Sequence, residues 1–380
     1  MNLLCLVSSF KRGGAERVII NLLNYLPKLD ANLNLFLYFL EDAYDPYPVP
    51  PHVQLKENKK NHSFQYTKLL NLPIQALQLK KYIRTHEIDL VLSFLSRPNY
   101  VNVLSKMFGS PHEAILNERH TPSQIYGNRN FANMVNRLLI HKLYPKCNKI
   151  IAVSKGVKND LEMNFNIPKK NISVIYNPFD IEKINKDSQV SIDHQWLNDP
   201  ELINIVSLGR LERPKNQSLL IRAFQTVLIK NKNARLIIIG EGTERSYLAQ
   251  LIEEFNLGAA ISLIGQIDNP YSYLARADLF VLSSNTEGFP NVLVEAMICG
   301  CPVISTNCKS GPNEIITHGK NGILVSNGDV KAMSNAIISL IQNNELRNTL
   351  IKSAKRKLYD FSLDKIINQY YQILLSKNLD

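Results

Sequence analysis

Two cations and two carboxylates, each set just beyond an apolar run, carry the chemistry readable in this 380-residue chain. Arg210 and Lys215 stand five residues apart in Gly209-Arg210-Leu211-Glu212-Arg213-Pro214-Lys215-Asn216, a loop between the strand-like run 204–208 and a helix. Cations so spaced can hold a diphosphate from two sides. A solvated basic turn is the plainer alternative. Glu287 and Glu295 belong to a second loop and helix, Glu287-Gly288-Phe289-Pro290-Asn291-Val292-Leu293-Val294-Glu295, after the apolar run 279–282. Pro290 suits the first helical position and Gly300 the position past the helix end. The N–H groups of Asn291, Val292 and Leu293 would then form an anion site. Glu287 in the loop and Glu295 about a turn inside the helix suit ring hydroxyls, as acceptors with fixed directions. By itself the segment is also an ordinary strand–helix turn, since the helix dipole alone favours an acid there. Phosphate at the tip and hydroxyls at the acids together point to a sugar nucleotide.

Other strand ends add to this. Gly240-Glu241-Gly242 offers backbone without side chains for close approach to a flat base, and Ile264-Gly265-Gln266-Ile267 ends the following run. In the first half, Asn117-Glu118-Arg119-His120 follows a strand at 114–116. No Asp-x-Asp occurs and no His/Asp/Glu group has metal spacing, so activity without a divalent ion, and hence in EDTA, is expected.

These residues need strands to carry them. Strand-like runs at 3–8, 33–40, 90–94, 114–116, 150–153 and 172–176 alternate with helical spacing, and a fresh series begins at 204–208, 235–239, 260–263, 279–282 and 302–305. The polar stretch 183–200 lacks sustained periodicity and reads as a linker. The expected architecture is α/β: two Rossmann-like parallel-sheet domains, 1–182 and 201–362, facing a central cleft, with 363–380 a helix packing back toward the first. Apolar content of 45% marks a folded chain, and no apolar run reaches membrane-spanning length. Five dispersed cysteines make neither a disulfide framework nor a zinc site, which suits a reducing cytoplasm.

Charge is sorted unevenly. Residues 1–180 carry +10 of the net +11, and residues 181–380 carry +1. Lys59, Lys60, Phe64, Tyr66 and Lys68 lie in an irregular stretch, with Lys81 and Arg84 on the helix after it. Cations with aromatics and no spanning segment suit peripheral attachment to anionic lipid. Ordinary solvated helix faces are the plainer reading. Nucleic acid would accept the charge too, but no nucleic-acid motif is present, so no nucleic-acid partner is expected.

Taken together, Gly13-Gly14-Ala15-Glu16-Arg17, Arg210 with Lys215, Gly240-Glu241-Gly242 and the Glu287-x7-Glu295 element resemble glycosyltransferase family 4 (GT4), whose members are retaining enzymes of the GT-B fold. The likeness spans nearly the whole chain, and is strongest to the bacterial branch that extends lipid-linked glycans, lipopolysaccharide cores and capsules. It implies a nucleotide sugar, UDP-linked, as donor and a lipid-linked or envelope glycan as acceptor, with no cofactor, at the inner face of the cell membrane. It further implies that Arg210 and Lys215 hold the diphosphate, Glu287 the transferred sugar and Glu295 the ribose. Gly209, Gly242, Phe289, Pro290, Asn291 and Val292 would complete the donor site, with Glu241 and Gln266 about the base. Gly13 and Gly14 would let the first loop approach the phosphates, and Glu118, with Arg119 or His120, would face the acceptor. Retention of anomeric configuration follows from the same likeness. The rival readings are a nucleotide-sugar epimerase and a non-catalytic membrane-associated scaffold.

Overall fold

The computed structural model describes residues 1–9, 13–41, 48–56, 69–128 and 130–375. The expected sites Lys59, Lys60, Phe64, Tyr66 and Lys68 lie outside the described residues. The chain forms two units, 1–178 with the residues from Leu363 onward, and 179–362.

In the first unit the runs Asn2–Val7 (β1), Asn34–Phe39 (β2), Gln54–Lys56 (β3), Leu90–Phe94 (β4), Glu113–Glu118 (β5), Lys149–Ala152 (β6) and Ile172–Val174 (β7) form a parallel sheet in the order β3-β2-β1-β4-β5-β6-β7. Nearly continuous apolar sequence suits such strands, because helices cover both faces. Alternate residues separate the two sides. Leu3, Cys5 and Val7 join the core shared with the helices Gly14–Leu29 and Leu363–Leu375, which pack on each other. On the other face Tyr38 meets Tyr82 edge-on at 5.1 Å, seating the helix Leu72–Thr85. That helix packs on Ser96–Met107, which in turn packs on Phe131–Leu143. All the strands are parallel, so each of these helices starts near the strands' carboxyl ends.

In the second unit Ile203–Leu208 (β8), Ala234–Ile239 (β9), Ile261–Gly265 (β10), Leu279–Leu282 (β11), Val303–Thr306 (β12) and Ile323–Val325 (β13) form a parallel sheet ordered β10-β9-β8-β11-β12-β13. The order reverses direction between β8 and β11, and ligands of open α/β sheets bind outside the strand ends at such a point. The expected α/β architecture of two Rossmann-like parallel sheets is therefore present.

Three details differ from the sequence expectations. The stretch read as a linker begins inside the helix Ile181–Ser188, which packs on Tyr271–Arg276 and Asn291–Ile298 as part of the second unit. Its buried residues Ile184 and Ser188 are too few to give a periodic signal among lysines and aspartates. The strands β3 and β13, three residues each, are likewise too short to show alternation. Finally, Pro290 occupies the N-cap rather than the first helical position, and Leu293 N–H donates to the Pro290 carbonyl at 3.1 Å. The anion-site reading therefore loses the Leu293 donor.

Candidate donor and acceptor sites

The second unit gathers its functional side chains on the loops after β8 and β11, on either side of the reversal. Lys215 Nζ lies 2.6 Å from Glu287 Oε1, joining the two loops by an ion pair. Ser284 Oγ donates to the same carboxylate oxygen at 2.7 Å, and Thr306 Oγ1 donates to the Ser284 carbonyl at 2.6 Å. Asn285 N–H donates to the Pro214 carbonyl and Ser283 Oγ to that of Lys215. Lys215 is thus held from both ends, its backbone by Ser283 and its ammonium by Glu287. Arg210 is different. Its guanidinium is largely exposed and, among the described residues, pairs with Glu212 at 3.0 Å, a surface pair that an incoming diphosphate could replace at small cost.

The glycines serve the framework more than a ligand. Gly240 has φ +143°, and a Cβ there would fall 2.0 Å from the Gly209 carbonyl oxygen. A Cβ on Gly242 would fall 2.3 Å from that of Leu211. Their bareness lets the loop after β9 close onto the loop after β8, where Leu211 N–H donates to the Glu241 carbonyl. The Glu241 carboxylate pairs with Arg245 at 2.8 Å, and Gln266 is exposed on the neighbouring loop.

The helix Asn291–Ile298 ends as expected: Gly300 at φ +77° donates to Met297, and Cys301 N–H to Ala296, the two bonds of a Schellman turn. Glu295 is buried on that helix, and Phe289 is buried with its ring 5.5 Å from Phe361. Val292 and Asn291 are half-buried at the tip. Gly311 at φ +91° backs the loop, since a Cβ there would meet Pro290 Cδ at 2.5 Å. Ser283, Ser284, Thr306 and Gly311 are supports that the expectations above do not include. The Ser-Ser doublet beside the acid loop was the available signal.

In the first unit, Gly13 caps the helix that Gly14 opens, and the Glu16 carboxylate folds back to within 2.6 Å of where a Gly13 Cβ would stand. The space that Gly13 leaves is therefore taken by Glu16. After β5, Arg119 is buried and His120 exposed. Arg119 donates to Asn177 Oδ1 and, at 3.4 Å, to Asn117 Oδ1. Burial draws its guanidinium below the ordinary value, opposed by Tyr370, Glu16 and Glu118. Asn117 in turn donates to Tyr370 Oη at 2.7 Å, on the returning C-terminal helix. Arg119 therefore ties that helix to β5 and the segment after β7, while His120 is the residue at this turn with access to solvent.

Glu118, expected on the acceptor side, is wholly buried and committed inward. Tyr144 Oη donates to Oε2 at 2.5 Å, and the N–H groups of Arg119 and His120 donate to Oε1 at 3.1 and 3.4 Å. It corrects the expected contact role: the carboxylate shapes the turn that presents His120. Burial pushes its pKa up to about 7 from 4.5, partly offset by the Tyr144 and backbone bonds. The folded state thus binds a proton more tightly than the unfolded one. Its contribution to stability is full below pH 4.5 and is lost as pH rises toward about 7. His112, drawn down to about 4 by burial, acts in the opposite sense between pH 4 and 6.5, so a paired comparison is required. Glu118→Gln is expected to gain stability relative to the wild type across that window, by up to about 3 kcal/mol. Denaturant unfolding at pH 5 and pH 8 measures it, and an unchanging difference would contradict the assigned burial. Lys81 and Arg84 are both exposed on Leu72–Thr85, with Arg84 reaching the Gly109 carbonyl at 3.1 Å.

Residues 12–183 match Glycosyltransferase Family 4 and residues 190–357 match the glycosyl transferases group 1 family. A Campylobacter jejuni protein, N-acetylgalactosamine-N,N'-diacetylbacillosaminyl-diphospho-undecaprenol 4-alpha-N-acetylgalactosaminyltransferase, is 35% identical over 97% of this chain and 98% of its own. The chain belongs to the GT4 glycosyltransferases. A second transferase from that organism, which adds α-1,4-N-acetyl-D-galactosamine to a diphospho-undecaprenol-linked saccharide, is 22% identical over 98% of both chains. Among solved structures, Anabaena Alr3699/HepE in complex with UDP superposes with a TM-score of 0.80 at 22% identity, covering 99% of this chain and all of the other. That likeness establishes the GT-B fold of this glycosyltransferase.

Proposed function

We propose that this transferase moves a hexose or N-acetylhexosamine from a UDP-sugar to a lipid-linked saccharide or envelope glycan, with retention and without a metal ion, at an anionic membrane surface on the cytoplasmic side. The observation that carries the donor side is the Lys215–Glu287 pair, 2.6 Å across the point where the strand order reverses, beside the tip of the Asn291–Ile298 helix. The activities for which the two Campylobacter relatives are named, both on undecaprenol-linked saccharides, support the acceptor class.

Breaking a glycosyl–phosphate bond builds negative charge on the diphosphate and positive charge at the anomeric carbon. In this reading the Lys215 ammonium and the exposed Arg210 guanidinium meet the departing diphosphate, and the helix tip adds its dipole. Glu287, fixed by Lys215 and Ser284, accepts hydrogen bonds from hydroxyls of the transferred sugar, while Glu295 serves the ribose. On the other side of the reaction His120 contacts the sugar or acceptor. No second carboxylate is assigned to the sugar's opposite face, so the leaving phosphate takes the acceptor's proton as the new bond forms on the same face.

A donor screen tests this, following UDP release in EDTA with an undecaprenyl-diphosphate saccharide as acceptor. Acceptor-dependent release and an α-linked product from an α-linked donor are expected. An inverted anomer by NMR removes the retention assignment, loss of turnover in EDTA removes metal independence, and donor conversion without acceptor favours an epimerase.

A further inference from the structure

We propose that His112, Asn102, Ser93, Asn99 and Tyr144 are positioning residues for the transfer. They form one buried hydrogen-bond chain, every link donating in the same direction, that holds the Glu118 carboxylate and through it the turn presenting His120. The inference rests on the reading above that places His120 against the sugar or acceptor, and it names what fixes that residue from within the first unit.

The chain lies between the sheet and the helix Ser96–Met107. Asn99 and Asn102 are three residues apart and share one side of that helix, the side bonded to β4, where apolar side chains are the rule. His112 Nε2 lies 2.8 Å from Asn102 Oδ1. Asn102 Nδ2 donates to Ser93 Oγ at 3.0 Å, Ser93 Oγ to Asn99 Oδ1 at 2.8 Å, and Asn99 Nδ2 to Tyr144 Oη at 3.0 Å. Tyr144 Oη then donates to Glu118 Oε2 at 2.5 Å. These residues are at most 2% exposed, so water does not stand in for a missing link. His112 precedes β5 and Glu118 ends it. The chain therefore runs the length of a six-residue strand, roughly 20 Å, toward the end where His120 is exposed.

The direction is fixed by a backbone carbonyl. Asn102 Nδ2 also donates to the Val91 carbonyl at 3.0 Å, and a carbonyl only accepts. The Asn102 amide therefore cannot be flipped, its Oδ1 must accept, and His112 must carry its proton on Nε2. His112 Nδ1, the unprotonated nitrogen, is buried with no partner among the described residues. Burial draws His112 down to about 4 and holds Tyr144 well above its usual value, so at neutral pH the imidazole is neutral and the phenol keeps its proton. Links that donate one way polarise one another, and here they all point at one carboxylate. An apolar layer would seat this helix without desolvating two amides and a hydroxyl, which is the reason to assign the chain a task beyond packing.

The test is a double-mutant cycle on the full chain with saturating donor, assayed at pH 8, above the value of about 7 to which burial raises Glu118. Tyr144→Phe should lower kcat by about 10- to 100-fold, the usual effect of a small misplacement at a reacting centre, with the donor KM within about twofold. His112→Leu, which breaks the farthest link, should lower kcat by about threefold, and His112→Gln, which keeps a donor near Nε2, should recover it. In a His120→Ala background neither Tyr144→Phe nor His112→Leu should lower kcat further, because the residue being positioned is gone. Amide exchange at His120, which needs no acceptor, should quicken by about tenfold in Tyr144→Phe while the amides of β1 keep their protection. The His112 pair carries the same test should Tyr144→Phe fail to fold. Equal losses in both backgrounds, or unchanged exchange at His120, overturn the proposal, since the chain would then serve stability alone. A His120→Ala enzyme as active as the wild type overturns it too, as does a proton on His112 Nδ1 by nitrogen NMR, which would reverse the first link. A wild type without acceptor-dependent UDP release rejects the function instead, and the exchange measurement still decides the chain.

Discussion

Replacing Lys215 by methionine is expected to lower turnover by 10²- to 10³-fold, with the larger part of the loss in kcat. A preorganised donor aimed at charge that develops in the transition state is typically worth ~3 kcal/mol, and Lys215 is held as such a donor should be. Its backbone carbonyl is bonded by Ser283 and its ammonium rests 2.6 Å from Glu287. A free lysine on a loop would first have to be ordered; this one is already in place. The cation must shift only slightly to share itself between the carboxylate and a diphosphate. Glu287→Gln gives a distinguishing comparison. It keeps the positive charge and the length of the side chain, so UDP affinity should survive within severalfold while kcat falls, because the sugar contact weakens and Lys215 loses its fixed direction. Arg210→Ala should act the other way, raising the donor KM more than it lowers kcat, since its guanidinium is exposed and held by a surface pair with Glu212. Steady-state kinetics with calorimetric UDP titration separates the three. A Lys215→Met enzyme within threefold of the wild type in kcat/KM would remove the cation from the mechanism.

What the chain discloses without coordinates is governed by range. Buried parallel strands write themselves as apolar runs, so β1, β4, β8 and β11 are plain, and the loops following them are plain with them. The spacing of Arg210 from Lys215, and of Glu287 from Glu295, is local and legible for the same reason, whereas the ion pair that joins Lys215 to Glu287 spans 72 residues. Roles that depend on partners far along the chain are not. Glu118 stands beside His120 in sequence and looks like a contact residue, yet its partner Tyr144 lies 26 residues on and turns the carboxylate inward. Asn117 and Tyr370 meet across 253 residues, which no spacing rule connects. Burial is the other concealed quantity: Arg119 and His120 are equally polar neighbours, and only packing makes one a tie and the other accessible. The glycine motifs are legible as motifs, while the backbone they face is not. Gly240 and Gly242 face neighbouring backbone, and the space they leave is occupied by the protein itself.

That last point yields the second large effect. Gly240→Ala is expected to destabilise the second unit by about 3 kcal/mol, by combining a strained backbone with a direct overlap. At φ +143° an alanine is strained whatever the space, and its Cβ would stand 2.0 Å from the Gly209 carbonyl oxygen, which is fixed backbone and cannot swing aside. For a unit of this size the loss corresponds to a fall in Tm of roughly 6–12 °C. Gly258→Ala is the matched control, since nothing lies within 4 Å of a Cβ there, and it should change stability by less than about 0.5 kcal/mol. The overlap also has a direction. Relief requires the Gly209 carbonyl to move, and Gly209 carries Arg210 with it, so UDP affinity should fall in Gly240→Ala even at temperatures where the unit remains folded. Stability lost with affinity intact would mean that the loop after β8 can yield without disturbing the diphosphate site, and that the glycine serves the fold alone.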